Sequence, residues 1–108
     1  MKRLSKKFEE EVLSKHGIEW YDPSGDNGCY CGDYETSTYE LAGIALEAMK
    51  DNNMYGVQLE YDGVTACSGH IWELIITEVQ YDSVVRICTV EDKDFCTCIF
   101  KAVDEIWG

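Results

Sequence analysis

The sequence predicts a small α+β domain spanning residues 1–108, ordered helix, long loop, helix, three or four antiparallel strands, and a C-terminal helix. Three observations carry this reading. Apolar residues recur at helical spacing in three separate stretches, and between the second and third they alternate or run together at strand spacing. At 108 residues the chain can bury one hydrophobic core but has no room for two. A block of consecutive strands joined by tight turns and flanked by helices gives an antiparallel sheet with helices packed on it.

In the first helix Leu4, Phe8, Val12 and Leu13 share one face, and Ser5 is placed to cap its N-terminus. Gly17 offers a left-handed stop, beyond which Ile18 folds back towards Leu13. The pattern then dissolves. Asp22-Pro23-Ser24-Gly25-Asp26-Asn27-Gly28 consists of turn formers, so residues 19–33 read as a long loop with a short strand at 18–21. Ser37-Thr38-Tyr39-Glu40 fits a capping box and opens a second helix. Its apolar stripe is Leu41, Ile44, Ala45, Ala48 and Met49, and Asn52-Asn53 ends it.

Next, Tyr55, Val57, Leu59 and Tyr61 alternate with Gly56, Gln58 and Glu60, the mark of a half-buried strand. Asp62-Gly63 predicts a tight hairpin that returns the chain through 64–67. Residues 71–79 are apolar on both faces and rich in β-branched side chains, as in a central strand. Tyr81-Asp82-Ser83 turns into a last strand at 84–90. A final helix over 92–107 carries Phe95, Ile99, Ala102, Val103 and Ile106 at helical spacing.

The charge is strongly acidic: nine Lys and Arg against 21 Asp and Glu leave a net −12. That balance excludes direct binding to nucleic acid or to an anionic membrane, since both need cations to displace counterions from phosphates. The N-terminal Lys2, Arg3, Lys6 and Lys7 form a short basic patch beside Glu9, Glu10 and Glu11. No apolar run of about 20 residues is present to span a bilayer, and no secretory leader follows Met1, so the expected location is the cytoplasm. In that reducing compartment the six cysteines are expected as free thiols or metal ligands.

The acidity is regional. Residues 19–62 hold ten acids and one base, Lys50, and the first half of this segment interleaves its acids with Trp20, Tyr21, Tyr30, Tyr34 and Tyr39. Carboxylates accept paired hydrogen bonds from arginine, and Tyr and Trp are the side chains that anchor interfaces. The sequence therefore points to a non-enzymatic binding protein, an inhibitor covering a basic, nucleic-acid-binding surface on a partner protein. In charge and size, though not through any motif, it is similar to the nucleic-acid mimics of phages and mobile elements, including anti-CRISPR proteins. The expected contact residues are Glu19, Trp20, Tyr21, Asp22, Asp26, Tyr30, Asp33, Tyr34 and Glu35, with Glu60 and Asp62 at the tip of the predicted hairpin.

Other chemistries are less well served. Cys29-x-Cys31 and Cys67-x-x-His70 together make a three-thiolate, one-imidazole set that suits structural zinc, the alternative reading of the chain. Cys-x-Cys is not the usual zinc knuckle spacing. Cys96-x-Cys98 in a helix puts its sulfurs roughly 200° apart, so Cys98 joins the core and Cys96 faces elsewhere. Asp22, Ser24, Asp26 and Asp33 occupy four places of a calcium loop, but Asn27 stands at the glycine position and Asp33 where a bidentate Glu belongs. No phosphate loop, nucleophile elbow or zinc-protease helix occurs, and no cofactor is expected.

Overall fold

The computed structural model of the chain describes residues 2–25, 28–51, 55–65 and 69–108, with the backbone alone for 62–65, 69 and 70. Helix α1 (Lys6–Glu11) begins as expected, with the Ser5 hydroxyl accepting from the Phe8 N–H at 3.1 Å. It tightens into a 3-10 turn at Leu13–His16 and stops at Gly17, whose φ is 68°. The Ile18 N–H donates to the Leu13 carbonyl and the Gly17 N–H to that of Ser14, both at 3.1 Å. This is the Schellman pair, and only glycine enters that conformation without strain.

The short strand expected at 18–21 is present, and the loop beyond it returns as a second strand to make a hairpin. Strands β1 (Glu19–Tyr21) and β2 (Cys29–Cys31) pair antiparallel, with Glu19 opposite Cys31, Trp20 opposite Tyr30 and Tyr21 opposite Cys29. Three residues between Gly28 and Gly32 are too few to show a period, which is why β2 has no signature of its own. Helix α2 (Thr38–Asp51) follows, with the Ser37 hydroxyl accepting from the Glu40 N–H. The stop expected at Asn52-Asn53 lies outside the described residues.

A three-stranded antiparallel sheet comes next, in the order β3 (Tyr55–Thr65), β4 (Gly69–Gln80), β5 (Ser83–Asp92), with β4 central as its sequence predicts. One expectation fails here. Asp62-Gly63 is no hairpin tip: β3 runs through it, with Asp62 opposite Ile71 and Thr65 opposite Gly69, and the register shifts between those pairs. Continuing the ladder supplies partners for backbone groups that an earlier turn would have left open, and the irregularity absorbs the Asp-Gly step as a bulge does. The turn into β5 is where it was expected. Tyr81 (φ 49°) and Asp82 (φ 67°) are both left-handed between paired Gln80 and Ser83, the two-residue turn whose twist suits a hairpin.

Helix α3 (Phe95–Trp107) starts later than 92, because Asp94 caps it by accepting from the Thr97 N–H at 2.9 Å. The core lies between the sheet and the helices. Leu74, Ile76 and Val90 from one sheet face meet Leu41, Ala45 and Met49 of α2 and Ile99, Ala102 and Val103 of α3, with Phe8 and Leu13 closing the side. Because α3 touches α1 and α2 as well as β4 and β5, more than half its circumference is covered. Cys96, expected to face away, is therefore buried together with Cys98. Among the described residues, no helix is long and apolar enough to cross a membrane.

Candidate functional site

The β1–β2 hairpin is held by the residue between its two cysteines. Side chains on a strand alternate, so Tyr30 turns inward while Cys29 and Cys31 turn out. The Tyr30 ring is fully buried, and its hydroxyl sits at the junction of two elements. It accepts from the Leu4 N–H at 2.7 Å and donates to Glu9 Oε2 at 2.6 Å. Arg3 grips the same carboxylate with two N–H groups, at 3.0 and 2.9 Å. Burial and the bond to Glu9 hold the phenol well above its ordinary pKa, so it remains a donor. Burial pushes the Glu9 carboxyl up, but the Arg3 and Tyr30 hydrogen bonds outweigh it and leave the group below the usual carboxylate range.

Trp20 completes the brace. Its ring meets Tyr30 edge-on at 4.9 Å, and the Arg3 guanidinium lies 5.7 Å from its centroid. Gly28 is required beneath it, since a Cβ there would run into the indole. Beyond β2 the Thr36 N–H donates to the Tyr30 carbonyl at 2.8 Å, and Gly32 donates to the Tyr34 carbonyl at 3.0 Å. The turn at 32–35 is thereby folded against the hairpin, and Cys31 bridges to Glu35.

This arrangement gathers six of the expected contact residues. Glu19, Trp20, Tyr21, Asp33, Tyr34 and Glu35 line one shallow depression with Cys31 and Gly32. Tyr21 and Tyr34 are 60% and 69% exposed, and Glu19, Asp33 and Glu35 are exposed beside them. Asp22 stands at the hairpin loop, where its carboxylate accepts from the Gly25 N–H at 2.7 Å, and Asp26 lies outside the described residues. Tyr30 must be removed from the contact set: its ring belongs to the core, a placement that strand alternation dictates once β2 is known. Glu60 and Asp62 sit apart on β3.

Of the zinc set, the Cys29 and Cys31 sulfurs lie 2.9 Å apart. Cys67 and the His70 side chain fall outside the described residues, among which no group of three or more metal-ligating side chains gathers.

Sequence reasoning missed a second acidic feature. In the observed register Glu60 is opposite Glu73 and Glu73 is opposite Glu91, a row of three glutamates across the open face of the sheet. A hydrogen bond with Glu91, partial burial and repulsion from Glu91 and Glu60 push the Glu73 carboxyl above its ordinary pKa. The signal needed was the register, and placing the turn at Asp62-Gly63 hid it. No protein-family profile matches this chain, and no curated protein or solved structure is significantly similar to it.

Proposed function

We propose that the protein is a small, non-enzymatic binding protein whose β1–β2 hairpin and 32–35 turn cover a basic surface on a partner, one that otherwise holds nucleic acid. The observation that carries this is the union of unneutralised charge and exposed aromatic area on a braced backbone. The ion pairs among the described residues are Arg3–Glu9, Lys50–Glu47 and Lys101–Asp92, so none of them neutralises Glu19, Asp33 or Glu35. From Glu19 to Glu35 the sequence has five acids and no Lys or Arg. Carboxylates at this density steer and orient cationic partners, and Tyr21 and Tyr34 add apolar area at small entropic cost. A pre-folded hairpin also loses little freedom on binding. The protein acts in this reading as an inhibitor, imitating the charge of a phosphate backbone.

The test is affinity capture from a host lysate with the wild type and with the triple variant Glu19→Gln, Asp33→Asn, Glu35→Gln. The wild type should retain a basic nucleic-acid-binding protein that duplex DNA displaces. Raising the salt from about 0.1 M to about 1 M shortens the screening length from about 10 Å to about 3 Å and should release it. The triple variant should capture little of it at any salt. Capture indifferent to salt, to DNA and to the substitutions would sink the proposal.

A further inference from the structure

The outward face of β2 carries chemistry that the binding face does not use. Cys29 and Cys31 point to the same side, and their sulfurs lie 2.9 Å apart, within hydrogen-bonding contact. Both are half-buried. Cys29 opens on a depression of about 470 Å³ beside Pro23 and Thr36, and Cys31 on a neighbouring one of about 410 Å³ beside Asp33 and Tyr34. Tyr21 and Glu35 line both. A small reactant can therefore reach either sulfur. Of the other thiols whose surroundings are described, Cys96 and Cys98 are buried and Cys88 is half-buried, and burial pushes all three up.

We propose that Cys29 and Cys31 form a reversible dithiol–disulfide couple that exchanges with low-molecular-weight disulfides of the glutathione type. Cys29 holds its proton, pushed up to about 11 by the hydrogen bond to the Cys31 sulfur, by burial and by nearby Glu35. Either sulfur can lead the exchange; on one of the two equivalent routes Cys31 attacks first. It attacks one sulfur of RSSR, forming a mixed disulfide and expelling RS⁻, which takes up a proton. Cys29 then loses its proton and attacks the Cys31 sulfur, closing the Cys29–Cys31 bond and releasing the second RSH. The two protein thiols give up two electrons and two protons, and RSSR becomes two RSH.

Two residues of β2 separate the Cα atoms by about 6.6 Å, whereas disulfides most often hold them at about 5.5–6 Å. That span still lies within the range of about 4.4–6.8 Å that disulfides usually cover, so the strand spacing admits the bond.

The full chain, in chelator, is equilibrated with graded ratios of reduced to oxidised glutathione, alkylated and digested with trypsin. Cleavage at Lys15 and Lys50 leaves both cysteines on one fragment, with Cys67 on another. The expected result is a fragment lighter by two hydrogens and closed to alkylation, reversed by dithiothreitol. Cys29→Ser and Cys31→Ser should each stop at a stable mixed disulfide on the remaining thiol. Two results would overturn the couple: both thiols staying open to alkylation at every ratio, or each carrying its own glutathione without ring closure.

Discussion

The β1–β2 and β4–β5 hairpins are built on opposite plans. The first has three cross-strand pairs and is fixed from below, by a buried Tyr30 whose hydroxyl joins Leu4, Glu9 and, through Glu9, Arg3. The second has nine pairs and a turn that fits its twist, and its far end stands beyond the helices. There Val84 is 70% exposed, with Val79, Val85 and Ile87 also open. A short hairpin borrows its order from tertiary contacts, which leaves its outer side chains free to carry charge. A long ladder orders itself through its backbone and leaves apolar side chains in water. The two sites should answer substitution very differently.

The largest effect is expected at the anchor. Tyr30→Ala should lower stability by about 3–5 kcal/mol, a large part of the roughly 5–15 kcal/mol typical of a domain. Tyr30→Phe keeps the ring but strands the Leu4 N–H and leaves Glu9 Oε2 with Arg3 alone, at a cost of about 1–3 kcal/mol. Val84→Ala, at the exposed end of β5, should stay within about 0.5 kcal/mol. Urea unfolding of the three variants decides the matter, and equal losses at Tyr30 and Val84 would erase the contrast. The anchor also has a pH signature. Glu9 titrates lower when folded than unfolded, so its contribution is complete above the unfolded value of about 4.3 and disappears as pH falls through the folded one. Glu9→Gln should remove that part of the acid sensitivity.

The same contrast explains what the sequence disclosed. The helices, their Ser5 and Ser37 caps, the Gly17 stop and the central place of β4 rest on local chemistry, and each was legible from neighbours a few residues away. The strand at 18–21 was legible too, but β2 and its pairing with β1 were not, because their anchors, Leu4 and Glu9, lie more than twenty residues from Tyr30. Reading Tyr30 as a surface aromatic followed from missing that strand. Asp62-Gly63 misled for the converse reason: a strong local turn signal gave way to a ladder that continues to Thr65. The grouping of Glu19, Tyr21, Asp33, Tyr34 and Glu35 was anticipated by composition, but its geometry follows from the hairpin.

A smaller effect, of opposite sign, is expected at the β4–β5 turn. Tyr81 and Asp82 both hold positive φ, where a residue with a Cβ is penalised and Asn-Gly is preferred. Replacing the pair with Asn-Gly should raise stability by up to about 1–2 kcal/mol, since the fully exposed Tyr81 ring gives up little packing. An unchanged thermal midpoint would show that the ladder dictates this turn without help from its residues. The β1–β2 hairpin should not respond, and its hydrogen exchange is the control.

The smallest effect belongs to the glutamate row, where water screens the charges. Glu73 is pushed up because it is hydrogen-bonded to Glu91, is partly desolvated, and faces Glu91 and Glu60. A carboxyl whose folded pKa lies above its unfolded one destabilises the fold wherever it is ionised, and the penalty lifts as pH falls. Glu73→Gln should therefore raise the thermal midpoint at pH 7, leave it unchanged at pH 3, and lose its advantage in high salt. Glu91→Gln should help more than Glu60→Gln, because Glu91 supplies the first cause of the shift and Glu60 a lesser one. A fall in the midpoint at pH 7 would mean that the row contributes stability in its ionised form. The open sheet face would then resemble the hairpin, with its order drawn from partners across the strands and its charge tolerated for that reason.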